Sequence, residues 1–171
     1  MKRLIAVSDS HGMAHSLQAA VELAFQKGPI DIFIFLGDGI SDMETIKPLL
    51  LQHNARMQVI SVRGNNDFST TVPNAEEFKV NGRVFYAAHG HHHGVKYGLT
   101  RLSYTAEERD AAVVFYGHTH HSHLEYAYGR WLINPGAICN AYPNDSAYAE
   151  VLVDKNGLIQ PGLVNWSGKF L

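Results

Sequence analysis

The chain has 171 residues, 46% of them hydrophobic and 18% charged, with a formal net charge of −2. This is ordinary composition for one domain with a sizeable core, here expected to span residues 1–171. It excludes a broad basic surface for stable nucleic-acid binding, and no apolar run nears the roughly 18 residues of a membrane-spanning helix.

Leu4 to Val7 reads as a buried strand, too short for the apolar segment of a secretory leader. With one cysteine, Cys139, no internal disulfide can form, so a cytoplasmic setting is expected. Ser16 to Gln26 carries Leu17, Val21, Ala24 and Phe25 at helical spacing and is stopped by Lys27-Gly28-Pro29. Asp31 to Leu36 is a second buried strand. Ser41-Asp42-Met43-Glu44 has the pattern of a capping box and predicts a helix running toward Gln52. Met57 to Val62 is a third strand, and this opening is βαβαβ. Phe78 to Val80 and Arg83 to Ala88 flank Asn81-Gly82, a hairpin signal. A helix is expected over Leu99 to Ala111, followed by a buried strand from Ala112 to Tyr116. Two further hairpins are read around Gly129-Arg130 and Asn156-Gly157, making the back half antiparallel.

Eleven histidines are present, and eight fall into two internal groups: His89, His91, His92 and His93, then His118, His120, His121 and His123. Neutral imidazole is the commonest metal ligand. Polar motifs follow five of the apolar strands: Ser8-Asp9-Ser10-His11-Gly12, Gly37-Asp38-Gly39, Arg63-Gly64-Asn65-Asn66-Asp67, His89-Gly90-His91 and Gly117-His118-Thr119-His120. Ligands of open α/β sheets bind outside the carboxyl ends of strands. Five such ends meeting on one edge would form a cup of Asp, Asn and His. Asp9 and His11, two apart, can reach the same ion, and Asp38 has two oxygens with which to bridge. Nitrogen and oxygen donors without thiolate suit Mn²⁺ first, with Fe, Zn²⁺ or Ni²⁺ as the other options.

This ordered set resembles the calcineurin-like metallophosphoesterases. The family pattern of Asp-x-His, Gly-Asp, Gly-Asn-x-(Asp/Glu), a lone His and Gly-His-x-His reads here as Asp9-Ser10-His11, Gly37-Asp38, Gly64-Asn65-Asn66-Asp67, His89 and Gly117-His118-Thr119-His120. Asn134-Pro135-Gly136 is similar to a loop of the small YfcE-type phosphodiesterase branch. The resemblance implies an α/β fold, a four-layer αββα sandwich of two facing mixed sheets flanked by helices. It further implies two divalent ions, one on Asp9, His11 and His120, the other on Asn65, His89 and His118, with Asp38 between them. Such a pair, about 3.5–4 Å apart, can hold a hydroxide for in-line attack on phosphorus. The expected activity is that of a phosphodiesterase acting on small phosphoesters.

Many family members place His after the Gly-Asn pair to help the leaving group. This chain has Asn66 there, which can only donate a hydrogen bond, and His91 is the nearest substitute acid. No side-chain nucleophile motif and no Walker A lysine motif is present. The competing reading is a catalytically weak metal-binding or protein-interaction scaffold, the use to which a retromer subunit puts this fold. The full set of seven ligand-type residues argues against it. His92, His93, His121 and His123 are assigned to the rim or surface, and His15 and His53 to helix surfaces. Trp131, Tyr126 and Tyr128 are assigned to packing, Cys139 to a half-buried structural thiol, Arg63 to a salt bridge or substrate contact, and Asp67 to a turn cap or ligand-orienting role. Homo-oligomerisation is left open.

Overall fold

The computed structural model describes residues 1–140 and 145–171. Two five-stranded sheets form. The first has the order β10-β9-β1-β2-β3, from β1 (Lys2–Val7), β2 (Ile32–Phe35), β3 (Gln58–Ser61), β9 (Ser146–Val153) and β10 (Ile159–Asn165). The second has the order β4-β5-β6-β8-β7, from β4 (Ala75–Val80), β5 (Arg83–Ala88), β6 (Ala111–Phe115), β7 (Ser122–Ala127) and β8 (Arg130–Pro135). Helices α1 (Ala14–Phe25) and α2 (Ile40–His53) cover the first sheet and α3 (Thr100–Glu108) the second.

Alternation along uniformly apolar strands makes the layers. In β2, Ile32 and Ile34 face the second sheet, while Phe33 and Phe35 face α1 and α2. β1 divides the same way, Leu4 and Ala6 inward, Ile5 and Val7 toward the helices. In β5, Phe85 and Ala87 meet the first sheet, and Tyr86 and Ala88 meet α3. Strands buried on both faces need no polar positions, hence the unbroken apolar runs. Each large side chain so buried contributes about 1.5–3 kcal/mol. The four-layer αββα sandwich expected from the sequence is the fold observed.

Four details differ from the sequence reading. The back half is mixed, not wholly antiparallel: the three hairpins β4-β5, β7-β8 and β9-β10 are antiparallel as expected, but β5 pairs parallel with β6, and β6 parallel with β8. α3 is the crossover that returns the chain to the same edge. α3 also ends three residues early, because Asp110 turns into the left-handed region (φ 50°) and Ala111 already belongs to β6. The hairpin turn is Tyr128-Gly129 (φ 55° and 77°), with Arg130 in β8. Ser41 does not cap α2. The cap position is Gly39, and the Asp67 carboxylate accepts the N–H groups of Gly39 and Ile40 at 2.9 Å each.

The parallel pairings have one functional consequence. β1, β2 and β3 in one sheet, and β5, β6 and β8 in the other, each point their carboxyl ends at one edge of the sandwich.

Candidate metal centre

The loops after these strands are stitched together by backbone hydrogen bonds. Asp9 N–H donates to Gly37 O (2.9 Å), His11 N–H to Asp38 O (2.9 Å) and Gly117 N–H to His89 O (3.0 Å). Ile138 and Cys139, after β8, donate to Ser8 O and Asp9 O, tying the second sheet to the first. Asp9, His11, Asp38, His118 and His120 all have positive φ, between 46° and 68°. Among the described residues these are five of the eight non-glycine residues in that region. Such strain persists only where surrounding structure over-determines it, and it clusters at functional sites.

The side chains form two groups of donor atoms. In the first, His120 Nε2 lies 3.2 Å from Asp9 Oδ1 and 3.2 Å from His11 Nε2, and His11 Nε2 lies 3.7 Å from Asp9 Oδ1 and from Asp38 Oδ2. In the second, His89 Nε2 lies 3.2 Å from Asn65 Oδ1, 3.1 Å from His118 Nδ1 and 3.5 Å from Asp38 Oδ2. Asp38 Oδ2 is common to both. All seven residues singled out as ligands are thus brought together.

Whether cations fit can be tested on the protein atoms themselves. Asp9 Oδ1 is buried with no hydrogen-bond partner, although Asp9 Oδ2 accepts from Ser8 Oγ and His118 N–H. An orphaned buried carboxylate oxygen aimed at two imidazole nitrogens is costly without a positive charge beside it. The neighbouring imidazoles respond to the carboxylate charge. Burial would lower His89, but its hydrogen bond to Asp38 and the charges of Asp9 and Asp38 outweigh this and raise it. The Asp9 carboxylate, 3.2 Å away, raises His120 against its burial. Burial works to raise Asp38, yet hydrogen bonds from His89 and Asn66 hold it well below the usual carboxylate range. A divalent cation would supply the missing charge and compete with protons for these same donors, so the donor set fits divalent ions.

A supporting layer fixes the donors. His89 Nδ1–H donates to Leu36 O at 2.7 Å, leaving the Nε2 lone pair facing the cup. Asp67 accepts from the N–H groups of Asp38, Gly39, Ile40 and Gly64, which meets the turn-cap expectation. Buried Asp42 accepts from Ser10 Oγ and Gly12 N–H. Buried Asn134 donates to Gly117 O (3.1 Å) and Thr119 Oγ1 (3.0 Å), so the Asn134-Pro135-Gly136 loop holds the segment bearing His118 and His120. A Cβ on Gly64 would strike the Asp38 carboxylate, which explains glycine there. Sequence reading did not foresee the roles of Ser8, Ser10, Asp42 and Asn134. Isolated Ser and Asn residues carry no periodic or spacing signal that would mark them.

Asn66 does not point away from the cup: its N–H and its amide Nδ2–H donate to the two oxygens of Asp38 at 2.8 and 2.7 Å. His91 stands beside the second group, its ring centroid 5.3 Å from that of His89 and 6.1 Å from that of His118. Burial first, then the charges of His92, His89 and His118, pull it down to about 4, so the ring is neutral at pH 7. Cys139 Sγ lies 3.9 Å from Nδ1 of His120, on the side of that ring turned away from Asp9. Among the described residues Arg63 forms no salt bridge. Its guanidinium donates to Asn74 Oδ1 and Ser69 O. His53 stacks on Phe25 and His15 is exposed, both on helix surfaces as expected. His123 hydrogen bonds Tyr116 Oη, and His93 lies 3.4 Å from Tyr86 Oη.

Comparison with known proteins places this geometry. Residues 1–156 match the model of the calcineurin-like phosphoesterase superfamily domain. The probable metallophosphoesterase YsnB of Bacillus subtilis (strain 168) is 33% identical over 135 residues, covering 79% of this chain and 74% of YsnB. A predicted phosphoesterase from Streptococcus pneumoniae TIGR4 superposes with a TM-score of 0.77 at 23% identity, over 99% of this chain and 92% of that one. A novel archaeal phosphodiesterase gives 0.71 at 20% identity, over 95% and 99%. Zinc-complexed Vps29 from Entamoeba histolytica gives 0.69 at 16% identity, over 96% and 99%.

Proposed function

We propose, for a chain that belongs to the calcineurin-like phosphoesterase superfamily, that two divalent cations held in the cup serve the hydrolysis of small phosphodiesters. Membership supports a metal-dependent phosphoester hydrolase, and the observation that carries the finer reading is the pair of donor groups sharing Asp38 Oδ2. One ion falls to Asp9 Oδ1, His11 Nε2 and His120 Nε2, the other to Asn65 Oδ1, His89 Nε2 and His118 Nδ1. Manganese suits these nitrogen and oxygen donors, with iron, zinc or nickel as alternatives. When bound, the ions supply Lewis-acid polarisation of the phosphoryl oxygens and activation of water.

The protein's own groups do the rest. Leu36 O holds His89 in one tautomer, and Ser8 and the His118 N–H hold Asp9 with one oxygen free. Asn66 orients Asp38 through both oxygens. His91, neutral and adjacent to His89 and His118, donates an N–H hydrogen bond toward the departing oxygen. A metal-reconstituted screen of phosphomonoesters and phosphodiesters, with Asp38→Ala as control, tests the reading. Diester turnover that disappears in Asp38→Ala supports it. A chain that loads two ions yet hydrolyses no ester is the scaffold instead, the alternative raised by the likeness to Vps29. For His91, the His91→Ala variant should keep both ions and slow alkyl-leaving diesters far more than nitrophenyl ones, since a nitrophenolate departs with little help. Equal slowing of the two removes the leaving-group role.

A further inference from the structure

Beyond His91 the surface opens into a cavity of about 530 Å³, lined by His91, His92, Tyr97, Thr100 and Arg101 among others. His91 belongs to both places. Its ring lies against those of His89 and His118 on one side and 4.0 Å from that of His92 on the other. A phosphoryl group in the cup therefore has this cavity as the space next to its ester oxygen on the His91 side.

Two features of the cavity serve no purpose in the fold. Tyr97 is 98% exposed, a full aromatic ring presented to water. It ends a short 3₁₀ turn (Val95–Tyr97) set between Gly94 (φ 63°) and Gly98 (φ 135°), backbone angles that favour glycine and hold the ring out from the surface. Val95 of the same turn is buried against the second sheet, so the turn itself is anchored. Arg101, on the first turn of α3, is exposed, and Tyr104 and Thr105 occupy its helical neighbour positions, so no carboxylate flanks it along that face. The cavity thus combines an exposed π-face and an exposed guanidinium, next to a site for phosphorus.

Each element selects something different. A flat ring on a tyrosine is favourable for any nucleobase, because every base has a π-face. A guanidinium takes a phosphate through paired charge-assisted hydrogen bonds. An aryl or alkyl ester alone would not use the guanidinium, and an inorganic anion alone would not use the ring. The volume lies in the range that encloses a small organic ligand.

We propose that this cavity is the subsite for the departing half of a nucleotide diester, with the base on Tyr97 and a further phosphate on Arg101. This rests on the phosphodiesterase reading above. Hydrolysis forms a P–O bond to a water oxygen and breaks the P–O bond to the departing nucleoside oxygen. That oxygen takes a proton from the water, leaving a phosphomonoester and a nucleotide.

Binding and turnover separate the two layers of this inference. Calorimetry on the manganese-loaded protein should show thymidine 3′,5′-bisphosphate binding more tightly than inorganic phosphate. Tyr97→Ala and Arg101→Ala should each weaken the bisphosphate about tenfold, and both rings and charges here are exposed enough for the variants to fold. The ratio of kcat/KM for the phosphorylated dinucleotide pTpT over methyl nitrophenyl phosphate should fall by a similar factor in each. Tyr126→Ala, an exposed tyrosine on β7, should leave all these values as they were. Bisphosphate binding equal in wild type and both variants overturns the subsite. Loss in Arg101→Ala alone overturns the nucleotide assignment, leaving a bare anion site. Failure to hydrolyse any diester, with the binding differences intact, overturns the phosphodiesterase reading and leaves the nucleotide subsite standing.

Discussion

The two ends of the sandwich spend their polar residues in opposite ways. At the amino ends of β1 and β2, charge meets charge. Lys2 pairs with Asp31 at 2.8 Å, and buried Arg3 pairs with buried Glu150 at 2.7 Å while donating to Gly28 O. At the same end Asn81 donates to Val153 O and Asp154 O, joining the sheets. At the carboxyl ends, two buried carboxylates face four imidazoles, one oxygen has no partner and five ligand-type residues sit in strained backbone. At one end each charge meets an opposite charge within the chain, although Arg3 Nη2 has no hydrogen-bond partner, and at the other a buried carboxylate oxygen is left without one. A chain can hold the second arrangement because the first, together with the apolar layers, stabilises the fold that imposes it.

Substitution at each end should therefore fail differently. The largest effect is expected for Asp38→Ala: both ions lost and hydrolysis reduced to background, with the fold retained. Elemental analysis showing two ions per chain in that variant would break the comparison. Arg3→Ala should do the reverse. It strands Glu150 in the interior and costs about 3–5 kcal/mol of stability, seen in urea unfolding, while the variant folded in the cold still loads its ions. A smaller effect comes from chelation, which should lower the melting temperature of the wild type. Ions at 100 times their dissociation constant contribute about 2.7 kcal/mol to the folded state. In Asp38→Ala the same treatment should shift nothing, and an equal shift in both proteins would place the stabilising ions elsewhere.

The smallest effect belongs to Asp31. Its partial burial works against ionisation, but the hydrogen bonds from Lys2 and from the Arg3 N–H lower it below its ordinary 3.8. A depressed carboxylate contributes stability above its unfolded value, and that contribution fades as the pH falls through the folded one. Asp31→Asn should accordingly be less stable than wild type at pH 6, with the gap closing below pH 3.8. A gap that stays constant from pH 6 to pH 3 would assign the loss to packing. Because the Lys2–Asp31 pair is exposed, the difference should stay below about 1 kcal/mol.

The sequence by itself marked the seven ligand-type residues and the buried strands that precede them, because strand burial and chemical identity are both local, whereas the four-layer class came from the resemblance that the ordered motifs carry. Short apolar runs such as Ile32 to Phe35, rich in β-branched and aromatic residues and bounded by turn signals, read as strands buried on both faces, and Asp and His two apart at a strand end carry their donor chemistry wherever the strand goes. Only the tertiary structure decided the parallel pairing of β5, β6 and β8, since pairing direction depends on where α3 returns the chain and no residue encodes it alone. It also decided the capping of α2 by Asp67 instead of Ser41, because a carboxylate 27 residues away can outcompete a local hydroxyl only once the loops meet. The placement of Asn66 on Asp38, of Cys139 behind His120 and of His91 between the cup and the cavity beyond it follows from the same convergence of six strand ends. Side-chain direction at a crowded edge is set by every loop that reaches it, and that information is distributed over the whole chain.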